Sequence, residues 1–156
     1  MALENRLEKI RRIVDNLIEE NCPMSSRDFI IHLYGVSEYC ALLAVRRGLD
    51  PEIAAVSGML HDIYQVTAGI IEKHAVKGAV IAGEILRDTN AFSDEEIEII
   101  TTAISWHSKK RKFHEPYDEV LKDADVLSHS LYNTKFPLVE KDIARFEMLK
   151  KELGCN

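Results

Sequence analysis

Apolar residues recur every three or four positions along most of the chain, which is the spacing of amphipathic helices. Near the N-terminus this repeat predicts a helix to about residue 20. Its apolar positions are Leu3, Leu7, Ile10, Val14 and Leu17. No segment alternates between apolar and polar residues as a half-buried β-strand does. We therefore expect an all-α protein, a compact bundle of about six to seven helices.

Breaks in the repeat place the second and third helices. The segment NCPMSS ends the first helix, and Ser25 or Ser26 can cap the second, which stops near Gly48. Asp50 and Pro51 suit the N-cap and the first position of the third helix.

The later helices follow from the same signals, with a capping-box pattern, SDEE, and two prolines marking helix starts. The third helix continues through the dipeptide HD, and the last one is amphipathic. The fourth helix is predicted over about 71–87 and the fifth over about 93–107. The sixth is predicted to run from Pro116 through the segment LKDADVLSHSLY, and the last one follows Pro137. The apolar side of the last helix carries Ile143, Phe146, Leu149 and Leu153.

The composition is that of an ordinary globular protein, with 46% hydrophobic and 29% charged residues. A chain of 156 residues can bury one core, and we expect a single domain over residues 1–156. The formal net charge of −6 argues against a general nucleic-acid binder, and we expect no binding of a nucleic-acid duplex. This net charge is nevertheless compatible with a small phosphorylated substrate bound in a local positive pocket.

The three cysteines, Cys22, Cys40 and Cys155, are far apart and form no CxxC motif, so we interpret them as reduced thiols of a cytoplasmic protein. The first residues, MALENRLEKIRRIV, are charged and amphipathic, unlike a signal peptide. No run of about 18 apolar residues predicts a membrane span. The protein is expected to be a monomer or a homodimer, and internal packing of the first helix is favoured over its pairing with a second subunit.

The segment VSGMLHDIYQV places His61 beside Asp62 within an apolar stretch. An ionised carboxylate costs several kcal/mol there unless it faces water or a cation. A single histidine on an apolar helix is usually a core residue, but each of five consecutive predicted helices offers an imidazole or a carboxylate. In a bundle this set can converge on one point. Its other members are His32, His74, His107 and Asp125.

The order of these residues resembles that of the HD superfamily of metal-dependent phosphohydrolases. HLYGVSEYCALLAVRRGLDPEIAAVSGMLHDI is similar to the family's first histidine helix and HD helix, and KDADVLSH is similar to its C-terminal DADxL segment. The resemblance covers about residues 27–132. It implies that Asp125, rather than Asp123, is the last of four metal ligands. The other three are His32, His61 and Asp62.

Two further segments, KHAVKGAVIAGEIL and ISWH, resemble those of HD proteins that hold two metals. This resemblance implies that His74 and His107 bind a second metal and that Asp62 bridges both ions. Such proteins include cyclic-dinucleotide phosphodiesterases, symmetrical dinucleoside tetraphosphate hydrolases and di-iron oxygenases. In the alternative, the two histidines line a one-metal pocket and bind substrate.

The resemblance implies a hydrolase that cleaves a phosphate ester or anhydride of a nucleotide or dinucleotide by metal-activated water, with Asp62 and His61 as catalytic residues. Imidazole and carboxylate ligands suit one or two ions of Fe, Mn, Zn, Ni or Co better than Ca or Mg. A di-iron oxygenase and a non-catalytic nucleotide-binding module remain alternatives. The simplest alternative is a helical bundle whose histidines lie in the core and bind no metal.

The substrate contacts depart from the family pattern. Tyr64 and Gln65 stand where many relatives have Gly and Lys, and Gly35 stands where many have Arg. Gln65 can bond to an oxygen but adds no charge. The segment SKKRKFH is either a solvated loop, which is favoured, or a positive rim that holds phosphates. The candidate substrate contacts are therefore Gln65, Lys109, Lys110 and Arg111.

Five other residues have less specific interpretations. His114 and His129 are expected on the surface or behind the metal ligands. Asp123 either bonds to a ligand histidine or stabilises the first turn of its helix. Tyr64 and Trp106 are candidates to stack on a base, although core packing is favoured for Trp106.

Overall fold

The computed structural model describes residues 5–155, which contain eight α-helices and no strand. The all-α prediction is confirmed. The helices are α1 (Arg6–Asn21), α2 (Ser26–Arg47), α3 (Pro51–Leu60), α4 (Ile63–Ala68), α5 (His74–Thr89), α6 (Asp94–Trp106), α7 (Pro116–Tyr132) and α8 (Glu140–Glu152).

The predicted third helix is divided into α3 and α4, which accounts for the additional helix. Its backbone leaves the helical conformation at Asp62, where φ is −107° and ψ is 19°. This sparsely populated region is one in which active-site residues are often found. His61 and Asp62 therefore lie at a junction between two short helices rather than inside one.

The predicted helix starts are largely confirmed. Asp50 accepts hydrogen bonds from two first-turn N–H groups and precedes Pro51. Ser93 and Glu96 form the complete capping box at the start of α6. Ser25 is the N-cap residue of α2, but its side chain makes no capping hydrogen bond. Helix α5 begins at His74, three residues after its predicted start at Ile71.

Apolar side chains from all eight helices form one buried cluster, with α2 packed mainly against α3 and α7. In α1, Ile10 and Val14 are fully buried, and Leu7 and Leu17 pack against the cluster. The expected internal packing of this helix is therefore confirmed within residues 5–155. Leu3 lies outside the described residues.

Helix α8 packs through only part of the predicted apolar stripe, and Phe146 is among the residues that pack against the core cluster. Ile143 is 45% exposed and Leu153 is also exposed, whereas Leu149 is buried. The buried positions include two charged residues, Asp142 and Arg145. The hydrophobic pattern of the sequence does not indicate this buried face of α8, because charged side chains make its contacts.

Arg145 attaches α8 to the rest of the protein. Its guanidinium donates to Glu119 at 2.7 Å and to Asp123 at 2.8 Å, both in α7. It also donates to the backbone carbonyl of Lys110 at 2.8 Å. Helix α8 is therefore fixed to the segment that follows α6 as well as to α7.

Within residues 5–155, α2 is the one helix long and apolar enough to cross a membrane by length and composition, since an 18-residue window has a mean hydropathy of 1.3. One third of that window, 33%, is buried, and α2 packs against α3 and α7. Core helices pass the same test, so this is weak evidence for a span. The expectation of no span came from the absence of an unbroken apolar run.

We expect Gly58→Ala to destabilise the fold. An added Cβ at this position in α3 would lie 2.7 Å from the Cα of Ser37 and 2.8 Å from its nitrogen, which are backbone atoms of α2. The two helices would have to separate, and the free energy of unfolding should fall by about 1–3 kcal/mol in chemical denaturation.

The matched control is Gly78→Ala in α5. There the nearest atom to an added Cβ is the carbonyl oxygen of His61, at 3.5 Å, which is an ordinary contact. Helix propensity should then stabilise this variant by about 0.5–1 kcal/mol. Equal stabilities of the two variants would contradict the close packing of α2 on α3.

Candidate metal centre

Four imidazole rings and two carboxylates from five parts of the fold meet at one point. They are His32 in α2, His61 and Asp62 between α3 and α4, His74 at the start of α5, His107 directly after α6, and Asp125 in α7. The structure thus brings together all six residues proposed as metal ligands. Their donor atoms divide into two neighbouring groups.

The first group surrounds one position between α2, α3 and α7. The Nε2 atoms of His32 and His61 are 3.2 Å apart. Asp62 Oδ2 lies 3.5 Å from His32 Nε2 and 3.2 Å from His61 Nε2. Asp125 Oδ1 completes the group at 3.4 Å and 3.7 Å from the same two nitrogens.

The second group lies on the other side of the Asp62 carboxylate. The Nε2 atoms of His74 and His107 are 3.0 Å apart. Each lies 3.5 Å from Asp62 Oδ1. Asp62 therefore presents one oxygen to each group, as a bridging ligand does.

Local backbone bonds determine which ring nitrogen is free in three of the histidines. In each, Nδ1 faces the carbonyl oxygen three residues earlier. A carbonyl only accepts, so Nδ1 carries the hydrogen and Nε2 presents its lone pair. The Nδ1–O distances are 2.7 Å for His61 to Gly58, 2.8 Å for His74 to Ile71 and 2.7 Å for His107 to Ile104.

These facing lone pairs repel one another unless a cation lies among them. Two ligands at about 2.1 Å from one ion, at 90–110° to each other, are about 3.0–3.4 Å apart, close to the spacing within each group. Asp62 Oδ1 and Asp125 Oδ1 are buried and have no hydrogen-bond partner among the described residues. Imidazole and carboxylate donors suit a divalent transition metal. The residues therefore fit metal ions at two adjacent positions.

The surrounding charges keep the carboxylates ionised. Burial by itself raises the pKa of Asp62, but the electrostatic effect of the adjacent imidazole rings, of which His61 contributes most, outweighs it and lowers the pKa well below its usual range. Burial likewise raises the pKa of Asp125, and the charge of Lys110 is the largest of the effects that lower it. Both side chains are thus available as anionic ligands.

The histidines respond to the same charges in opposite directions. Burial lowers the pKa of His32, but the adjacent carboxylates of Asp125 and Asp62 raise it overall to about 9. For His107, burial prevails and lowers the pKa. The metal-free cluster therefore holds a proton on His32, which a metal displaces because its ligands must be deprotonated.

Lys110 is an internal part of this centre and not a member of an exposed rim. It is only 5% exposed, and its Nζ donates to Asp125 Oδ2 at 2.5 Å and to the His107 carbonyl at 2.8 Å. Because Lys110 binds Oδ2, Asp125 has only Oδ1 free for a metal. No local sequence signal indicates this pairing, since the two residues are separated by a loop.

The neighbours of Lys110 point away from the centre. Lys109 and Arg111 are exposed and do not line the cleft over the metal ligands. Arg111 lies 3.5 Å from Glu140 in an exposed ion pair. For these two residues the structure agrees with the solvated-loop interpretation.

A cleft of about 370 Å³ opens onto the ligands. Gln65 lies in its wall, where the sequence analysis expected a substrate contact. Sequence reasoning missed Asp28, at the start of α2, and Lys141, in the first turn of α8. Neither belongs to a motif, and their proximity depends on how the helices pack.

Two interpretations are corrected. Asp123 lies inside α7, not in its first turn, and it pairs with Arg47 at 2.7 Å and with Arg145 rather than with a histidine. Trp106 is 38% exposed and does not pack in the core. Its ring stacks on His114, with centroids 4.4 Å apart, because α6 ends at the surface.

His129, the second histidine outside the set of candidate ligands, lies closer to the centre than His114 does. The ring of His129 stacks on His32, with centroids 4.8 Å apart and planes 6° from parallel. Its Nδ1 lies 3.7 Å from Asp125 Oδ1. This agrees with the expectation that His129 lies behind the ligands or at the surface.

The fold and the ligand arrangement agree with a comparison to known families. The profile of the HD domain family matches residues 29–130. This match covers more than half of the chain and contains all six candidate ligands, so the protein belongs to the HD domain family.

Curated relatives share part of their length with this chain. Ribonuclease Y of Clostridium kluyveri is 31% identical over 121 residues, covering 77% of this chain and 22% of the relative. Ribonuclease Y of Lawsonia intracellularis is 27% identical over 130 residues, covering 83% of this chain and 24% of the relative. The chain thus spans about a quarter of the length of these relatives.

A solved structure has the same fold. The crystal structure of a predicted HD superfamily hydrolase from an uncultured Thermotogales bacterium matches with a TM-score of 0.63. The match covers 92% of this chain and 88% of the other, at 21% identity. The helical arrangement is therefore shared.

We expect Lys110→Met to destabilise the metal-free protein, because it leaves the buried Asp125 Oδ2 without its cation. Breaking a buried pair in this way should lower the free energy of unfolding by about 3–5 kcal/mol. Denaturation of the chelator-treated protein measures this. The control, Lys109→Met, removes an exposed neighbouring charge and should change stability by less than about 0.5 kcal/mol. Equal effects of the two changes would contradict the pairing.

Proposed function

We propose that the protein is a metal-dependent phosphohydrolase that cleaves a phosphate ester bond in a nucleotide or a short nucleotide chain, using two divalent transition-metal ions. The observation that supports this most directly is the position of Asp62. Its two oxygens face two adjacent groups of candidate donor atoms. Two divalent ions held by these groups would suit attack on phosphorus and stabilisation of the leaving oxygen.

The relatives favour a phosphodiester of nucleotides. Both matched proteins carry the name Ribonuclease Y, which describes cleavage of RNA by those proteins. The chain covers only part of them, and its net charge of −6 does not favour a general RNA-binding surface. A small nucleotide or a short single strand held at the metal centre is consistent with the name of the relatives and with the negative net charge of this chain.

In this proposal the residues have separate tasks. His32, His61 and Asp125 would hold one ion, His74 and His107 would hold the other, and Asp62 would contribute to both. When bound, the ions supply Lewis acidity that polarises a phosphoryl group and makes water nucleophilic near neutral pH. His61 is fully buried and fixed through Nδ1, so it acts as a rigid ligand.

Other residues of the cleft contact the substrate. Gln65 offers its amide N–H to a phosphoryl oxygen, and the ammonium of Lys141 offsets the charge of the phosphate. Lys110 is held by Asp125 and contributes through that carboxylate rather than by binding phosphate. The exposed Lys109 and Arg111 act at most as a distant positive field.

Iron chemistry is the second candidate, because the same donors suit a di-iron oxygenase. The ligand groups alone do not separate the two reactions. The distinguishing observation is turnover that requires O₂ and iron, without release of phosphate or nucleotide from any phosphoester. A hydrolase works equally well without O₂.

We expect the metal-stripped protein to bind two equivalents of Mn²⁺ and to become more resistant to heat as it does so. His74→Ala should bind one equivalent, because the first ligand group stays complete. Equilibrium dialysis with elemental analysis measures the stoichiometry. His114→Ala, which removes a histidine outside the cluster, should retain two. Less than about 0.2 equivalents, with no gain in thermal stability, would contradict every metal-based interpretation.

We expect phosphoester hydrolysis in a screen of phosphomonoesters, dinucleotides, cyclic nucleotides and short oligoribonucleotides with Mn²⁺, Fe²⁺, Zn²⁺, Ni²⁺ and Co²⁺. Asp62→Ala should lower kcat/KM at least about a thousandfold, since it removes a ligand of both ions. Asp88→Ala, an exposed carboxylate on α5, is the matched control and should be fully active. Activity that survives in both Asp62→Ala and His61→Ala would reject this centre.

A further inference from the structure

A second cleft lies next to the metal cleft, on its α2–α7 side. It measures about 230 Å³, and we refer to it as the side cleft. The two clefts share Asp28, His32 and His129. A molecule whose phosphate lies at the metal ligands can therefore extend past His129 into the side cleft. The full lining is Asp28, Ile31, His32, Ser128, His129 and Tyr132.

Two rings give the side cleft an aromatic wall. Tyr132 is 62% exposed, and within residues 5–155 its ring stacks on no other ring and its hydroxyl makes no hydrogen bond. His129 is held parallel to His32 by their stacking. An unpartnered aromatic side chain beside a fixed ring is suited to stacking on a planar ligand.

The charged groups around the side cleft favour a neutral group there over a second phosphate. Asp28 lies in its wall, and its carboxylate forms no hydrogen bond or ion pair with any other residue of the described chain. Lys110 and Lys141 line the metal cleft but not the side cleft. A carboxylate only accepts hydrogen bonds, so it favours a neutral group with N–H donors.

We infer that the side cleft is a nucleobase subsite, with Tyr132 stacking on the base and Asp28 accepting hydrogen bonds from its edge. The inference rests on the proposed function, because the metal centre is what holds the phosphate. It adds a preference for nucleotides over other phosphoesters. Guanine offers two adjacent N–H donors to a carboxylate and is the base that Asp28 favours.

Binding of small probes tests the subsite independently of turnover. The Mn²⁺-loaded protein is titrated by calorimetry with guanosine 5′-monophosphate, adenosine 5′-monophosphate and ribose 5-phosphate, which lacks a base. We expect guanosine monophosphate to bind at least about tenfold more tightly than ribose 5-phosphate, the effect of one stacked base. Tyr132→Ala should reduce this difference to less than about threefold. Asp28→Asn should reduce the preference for guanosine over adenosine monophosphate.

Phe136→Ala is the matched control, since Phe136 is also a largely exposed aromatic residue and lines neither cleft. It should leave all three affinities unchanged. Equal binding of the nucleotide and ribose 5-phosphate to the wild type, binding of neither, or full discrimination in Tyr132→Ala would overturn the subsite. A protein that discriminates in this way but hydrolyses no phosphoester would retain the subsite and lose the proposed function.

Discussion

The buried carboxylate of Asp62 is the constraint on which the centre depends. It lies between imidazole nitrogens on both sides, and its Oδ1 has no hydrogen-bond partner within residues 5–155. Such a group is costly unless cations compensate it. The break between α3 and α4 places Asp62 there, since a continuous helix would not give it the backbone angles that it has. An irregular backbone at this point is thus coupled to the chemistry of the side chain.

Close helix packing completes the first ligand group. His32 and His61 come from different helices, and their Nε2 atoms meet at 3.2 Å. Gly58 permits this approach, because the backbone of α2 occupies the space that a side chain at this position would need. The carbonyl of the same glycine also binds His61 Nδ1. One residue therefore determines both the distance between the helices and the orientation of a ligand ring.

Much of the fold and the ligand set was predictable from sequence, because periodicity, caps and motif order are local signals. Asp50, Ser93 and the ordered histidines all carry such signals. The break at Asp62 was missed because apolar periodicity continues across it. The pairing of Lys110 with Asp125 was missed for another reason, since contacts between distant segments leave no periodic pattern. The structure was needed wherever charge, rather than hydrophobicity, determined the packing.

Helix α8 illustrates how such contacts reach the centre. It lies beyond the residues that match the HD domain profile, yet Arg145 binds the carbonyl of Lys110, whose ammonium binds Asp125. The first turn of α8 also supplies Lys141 to the cleft. The family segment thus provides the candidate ligands, whereas a segment outside it supports one of them and forms part of the cleft wall. Because none of the six candidate ligands lies in α8, the cleft wall formed by this helix can change, and substrate preference with it, while the metal centre is kept.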